Sequence, residues 1–186
     1  WRASHPNLAV LGRAPDRLGF NNIRRHPENK SVPGLLIVRP ENGLFFANAA
    51  GVHEAIISEM TSSSEPVKAV LLDLGATTDL DVPSADVLAE LGEELHTRDV
   101  RFMLMRVIMP VRQMLEQAGA MQKIRPEDIF IGPTEAVMNY LVTEGDQAGI
   151  EDLLKSGATT IHSLLQTSLS SAPAERQAAL TEIVDS

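Results

Sequence analysis

A chain of 186 residues with 44% apolar side chains is long enough for one domain with a true core, and its composition excludes wholesale disorder. It has no cysteine, which excludes disulfides, thiolate metal sites and cysteine nucleophiles together. The net charge of -9 is uneven: residues 1–40 carry seven Lys/Arg against two Asp/Glu, and the rest carry nine against 23, an acidic bulk that argues against nucleic acid as the main partner.

Residues 8–12 form a short apolar run that predicts a strand. A long irregular connection follows, holding Pro15, Asn21, Asn22, Pro27 and Asn29. Pro33-Gly34 introduces a second strand over 35–39. Pro40-Glu41-Asn42-Gly43 reads as a tight turn, with Leu44-Phe45-Phe46 returning as the partner strand of a hairpin. Asn48 is a candidate N-cap for a helix carrying Val52, Ile56 and Met60, ended by Thr61 and the serines after it.

Residues 69–88 are the centre of the chain. Ala69-Val70-Leu71-Leu72 has no polar residue on either face, as a strand buried on both sides requires. A polar loop with Thr77, Thr78, Asp79 and Asp81 follows, then Pro83 and an amphipathic helix over 84–97. Residues 100–105 form another strand, and Pro110 opens a helix stopped at Gly119. Residues 129–131 make a last strand, and Gly132-Pro133-Thr134 starts a helix with Val137, Tyr140 and Leu141. The expected fold is α/β: one mixed sheet with parallel βαβ units, an N-terminal hairpin and helices packed on the sheet.

Gly145-Asp146-Gln147 reads as a boundary, which divides the chain into a domain at 8–145 and a helical C-terminal extension at 146–186. The extension holds two amphipathic runs, one with Ile161, Leu164, Leu165 and Leu169, the other with Leu180, Ile183 and Val184. Trp1, with neither Met nor a signal-peptide pattern before it, reads as a fragment boundary.

Motifs that carry chemistry are scarce. The histidines at 5, 26, 53, 96 and 162 lack metal-ligand spacing, and neither a phosphate loop nor a nucleophile elbow is present. The acidic residues Asp73, Asp79, Asp81 and Asp86 would suit an acid–base pair, but turn forming and capping is the preferred reading.

The order of elements, together with Pro33-Gly34-Leu35-Leu36-Ile37-Val38-Arg39, Gly43-Leu44-Phe45-Phe46-Ala47-Asn48-Ala49 and Val70-Leu71-Leu72-Asp73-Leu74 followed by Asp81, resembles the STAS domain of SulP-family anion transporters. The match covers roughly residues 8–143 and leaves the extension out. The resemblance implies a non-catalytic regulatory and interaction module on the cytoplasmic side of a membrane, with residues 1–7 linking it to a preceding membrane-spanning unit. That unit, and a second STAS domain, are the expected partners. The interaction loop would be Thr77, Thr78, Asp79, Asp81, Pro83 and Ser84, and Arg13, Arg17, Arg24 and Arg25 would face the anionic inner leaflet.

Bacterial anti-sigma-factor antagonists share this domain and carry a phosphorylated serine in Asp-x-Ser-Gly. The matching positions here are Asp81-Val82-Pro83-Ser84, so proline stands where that serine would be. A soluble switch protein of the antagonist type remains the alternative. No cofactor is expected. Nucleotide binding at the helix start near Pro83 would be no tighter than millimolar, about -4 kcal/mol, because the nearby aspartates repel phosphate.

Overall fold

The computed structural model describes residues 8–15, 19–122 and 124–155. Among these residues six strands form one sheet: β1 (Leu8–Arg13), β2 (Phe20–Asn22), β3 (Leu35–Pro40), β4 (Ala69–Asp73), β5 (Arg101–Met105) and β6 (Ile129–Phe130), in the order β2-β1-β3-β4-β5-β6. β1 runs antiparallel to both β2 and β3, while β3 to β6 are mutually parallel.

The helices are α1 (Ala49–Thr61), α2 (Val82–Thr97), α3 (Met109–Gln117), α4 (Pro133–Glu144) and α5 (Gln147–Lys155). α1, α2 and α3 cover one face of the sheet, packing on Val38, Val70, Leu72 and Leu104. α4 and α5 cover the other, packing on Ile37, Leu71, Met103 and Met105. Successive residues of a strand point to opposite faces, so Ala69 to Leu72 of β4 feed both cores by turns and are apolar one after another.

The mixed sheet appears as expected, but its hairpin is built from other residues. Leu44-Phe45-Phe46 is not a strand. β3 is hydrogen bonded to β1 on one side and β4 on the other, which leaves no edge for a returning chain. The antiparallel partners lie at the front instead, where β2 emerges from the stretch expected to be irregular. Of the turn residues Asn42 and Gly43, only the glycine has positive φ, +72°. A Cβ there would sit 2.6 Å from the Ala76 carbonyl oxygen, so Gly43 lets the loop after β3 lie against the loop after β4.

Asn48 holds the N-cap position of α1, yet its side chain turns away from the helix. Its Oδ1 accepts the Phe45 N–H at 2.9 Å and its Nδ2 donates to the Gly43 carbonyl at 2.9 Å, closing the loop. α3 ends at Gln117 and Gly119 follows with φ +76°, the left-handed exit that glycine favours. α4 ends the same way at Gly145, and α5 then buries Ile150 and Leu153 against the core. The amphipathic runs expected after residue 158 lie outside the described residues.

Candidate functional site: the carboxyl edge of the sheet

Four loops leave the carboxyl ends of β3, β4, β5 and β6, and polar ties join them. Asp73, the last residue of β4, is 1% exposed. Its carboxylate is gripped by both arms of the Arg106 guanidinium, with Nε donating to Oδ1 at 2.8 Å, and Oδ1 also accepts the Gly75 N–H at 2.9 Å. Arg106 follows β5 with a left-handed backbone, φ 57°. Such a conformation costs a non-glycine residue about 1 kcal/mol. It is held by the Asp73 pair and by the Arg106 N–H, which donates to the Phe130 carbonyl of β6 at 2.9 Å. The hydrogen bond to Asp73 raises the Arg106 pKa above its ordinary value.

Thr77 does not project from the loop as expected. It is 3% exposed, and its Oγ1 accepts the Leu44 N–H at 3.0 Å, tying the loop after β4 to the loop after β3. Asp81 makes the second tie. As N-cap of α2, its Oδ1 accepts the Ser84 N–H at 2.8 Å, and its Oδ2 accepts the Phe46 N–H at 2.9 Å. Ser84, followed by the Phe46 N–H, holds the Asp81 carboxyl below the usual carboxylate range. Ser84 is itself fully buried, and its Oγ has no partner at hydrogen-bonding geometry. It faces the core rather than a partner. Thr78, Asp79 and Pro83 are exposed, and Asp79 bonds its neighbour's N–H at Leu80. The Asp81 carboxylate already occupies the place an anion would take at this helix start.

The apolar side chains around these ties escaped the sequence reading. Phe45 is 43% exposed, Phe46 72%, Val82 53%, Ile108 43%, Met109 66% and Ile131 87%. These are the exposed large hydrophobics among the described residues, and every one follows the carboxyl end of a parallel strand. Phe45 and Phe46 meet edge to face with ring centroids 6.3 Å apart. Phe45, Phe46 and Ile131 were hidden because each extends an apolar run that fits a strand.

The basic residues divide. Arg13 does not face outward: it is 6% exposed and ion-paired with Asp152 of α5. Arg24 and Arg25 lie in the turn after β2, well exposed, pairing with Glu59 at 2.8 Å and Glu41 at 3.0 Å. Arg17 lies outside the described residues. No group of three or more His, Asp or Glu could hold a metal ion, and no helix is long and apolar enough to cross a membrane, among the described residues.

A six-stranded mixed sheet with parallel βαβ units defines an α/β domain. The STAS domain model matches residues 26–136, more than half of the chain, and the chain belongs to that family. A Mycobacterium tuberculosis protein named as a probable sulfate transporter is 30% identical over 139 residues, 75% of this chain and 25% of its own length. High affinity sulfate transporter 2 of Stylosanthes hamata is 26% identical over 147 residues, 75% of this chain and 22% of its own. The chain thus spans about a quarter of the length of these relatives. Among solved structures, the SulP transporter STAS domain from Vibrio cholerae superposes with a TM-score of 0.53 at 20% identity, covering 67% of this chain and 94% of that one. The murine Solute Carrier 26 family member A9 anion transporter superposes with a TM-score of 0.64 at 18% identity, covering 72% of this chain and 22% of its own. The same fold therefore occurs inside anion transporters several times its length.

Proposed function

We propose that this chain is the regulatory, non-catalytic STAS domain of a SulP-type transporter of sulfate-like anions, on the cytoplasmic side of a membrane. In this reading residues 1–7 lead from a membrane-spanning unit, 8–145 are the STAS domain and 146–186 are its helical extension. The carboxyl edge docks against the transporter's own membrane-embedded part, with Thr78, Asp79 and Pro83 at its polar margin. Arg24 and Arg25 are the basic residues available to the inner leaflet.

The observation that carries the proposal is the set of six exposed apolar side chains, Phe45, Phe46, Val82, Ile108, Met109 and Ile131. They stand on loops and helix starts already tied together, so docking there has little ordering entropy to overcome. The antagonist-type switch is disfavoured by Pro83, which has no hydroxyl to phosphorylate, and by the burial of Ser84.

The test is sulfate uptake into vesicles by a full-length transporter carrying this domain, with Phe46→Ser and Ile131→Ser together, at matched protein levels. Uptake is expected to fall several-fold while the isolated 186-residue chain melts as before. Unchanged uptake refutes docking through this edge.

A further inference from the structure

α1 and α2 lie side by side on one face of the sheet, and their outer surfaces leave a groove of about 550 Å³ whose lining includes none of the six exposed apolar side chains of the carboxyl edge. Its floor is apolar, from Ile57 of α1 and Val87 of α2, both only partly buried. Its walls are acidic, from Glu54, Glu90 and Glu94. The imbalance runs through both helices: α1 and α2 carry Glu54, Glu59, Asp86, Glu90, Glu93 and Glu94, and neither contains a lysine or an arginine.

Some of this charge is answered from nearby. Arg98 lies 2.6 Å from Glu94, His53 Nε2 lies 2.8 Å from the other Glu94 oxygen, and Arg24 reaches Glu59 at 2.8 Å. Glu54 and Glu90 face the groove with no ion-pair partner among the described residues.

We infer that this groove binds a cationic amphipathic helix. Ridges spaced four residues apart on a helix, here Ala50, Glu54 and Ser58 with Ile57 beside them, border grooves that accept the side-chain ridges of another helix laid across them. A partner helix with apolar residues on one face would seat them on Ile57 and Val87. Its flanking lysines or arginines would meet Glu54 and Glu90, and complementary charge sets both the partner choice and the approach rate. The same charge argues against the other occupants. A second copy would bring an identical acidic face to a two-fold contact, and an anionic lipid surface would be repelled.

The test titrates the 186-residue chain with a 14-residue probe peptide of leucine and lysine at amphipathic helical spacing, followed by amide chemical shifts. Shifts are expected on the α1 and α2 residues lining the groove, with affinity falling as salt rises, since screening acts within about 10 Å at 0.1 M. Glu54→Lys with Glu90→Lys should weaken binding at least tenfold. The milder Glu54→Gln with Glu90→Gln should weaken it several-fold, and serves if the charge reversal disturbs folding. Phe46→Ser should leave binding unchanged, which separates this site from the carboxyl edge. The inference is overturned if the groove variants bind like the parent, or if a leucine–glutamate peptide binds equally well. It is also overturned if the shifts fall on the carboxyl edge, or if the groove variants instead abolish a dimer seen by sedimentation or binding to anionic vesicles.

Discussion

At the amino ends of the parallel strands, Asp128 is 2% exposed and is held by two arginines: Arg101, whose Nε donates to it at 2.6 Å, and Arg125, whose Nε donates at 2.7 Å. At the carboxyl ends, Asp73 is 1% exposed and is held by Arg106, with the Gly75 N–H as an added donor. Both ends thus use a buried carboxylate to fasten neighbouring segments. The amino end adds Tyr140, whose hydroxyl donates to the Pro33 carbonyl at 3.0 Å, and the Lys68–Glu144 pair at 2.7 Å. It leaves no large hydrophobic in water among the described residues, whereas the carboxyl end leaves six. Fastening loops therefore does not require exposed apolar side chains, and those at the carboxyl edge need a reason other than stability.

The largest expected effect separates the two carboxylates. Arg106→Ala strands Asp73 as a buried charge and should cost about 3 kcal/mol or more. Arg101→Ala leaves Arg125 on Asp128 and should cost only about 1–2 kcal/mol. Urea denaturation at neutral pH measures both, and equal losses would break the contrast.

Tyr140 probes the amino end alone. It is the only tyrosine in the chain, and burial, then Glu144 and Asp146, push its pKa up to about 12. Because the folded value is raised, the stabilisation is fully present below the ordinary tyrosine pKa of about 10 and is lost as pH rises through the folded value. Ultraviolet titration of the phenolate should give a midpoint near 12 that returns to about 10 on unfolding. Tyr140→Phe, which leaves the Pro33 carbonyl without this donor, should cost about 1 kcal/mol.

At the carboxyl end, Asp81→Ala removes the α2 cap and should cost about 1 kcal/mol, while Asp79→Ala should stay within about 0.5 kcal/mol. The Asp81 pKa is lowered in the fold. Its contribution is therefore present above the ordinary carboxylate range and lost as pH falls through the folded value. Glu94, lowered first by its hydrogen bond to His53 and then by Arg98, acts in the same direction. Melting curves from neutral pH down through the carboxylate range should show a shallower decline for Asp81→Asn than for the parent.

The smallest effect tests the apolar edge. Phe46→Ser with Ile131→Ser should change stability by no more than about 0.5 kcal/mol each, because neither side chain is buried. A loss of several kcal/mol would mean that these side chains support the fold and would remove the argument for docking.

Much of the architecture was legible in local pattern. Ala69-Val70-Leu71-Leu72 announced a strand buried on both faces, and Pro83, Pro110 and Pro133 each stand in the first turn of a helix. The site was less legible. Thr77 and Ser84 look like surface residues by type, yet the chain packs both inside. Phe45 and Phe46 look like strand residues by type, yet β3 has no free edge to receive them.

The sequence by itself determined the succession of strands and helices along the chain from residue 69 onward, because the apolar pattern and helix-start signals that mark each element are set by backbone geometry within a few turns. It also determined the acidic character of α1 and α2, which needs only residue identity. Only the tertiary structure decided that Arg13 is buried against Asp152, 139 residues away, and that Asp73 and Arg106, 33 residues apart, fasten one edge. The same holds for the six apolar side chains left in water. These depend on which strand ends become neighbours, and that follows from sheet order, a long-range property that local periodicity does not encode.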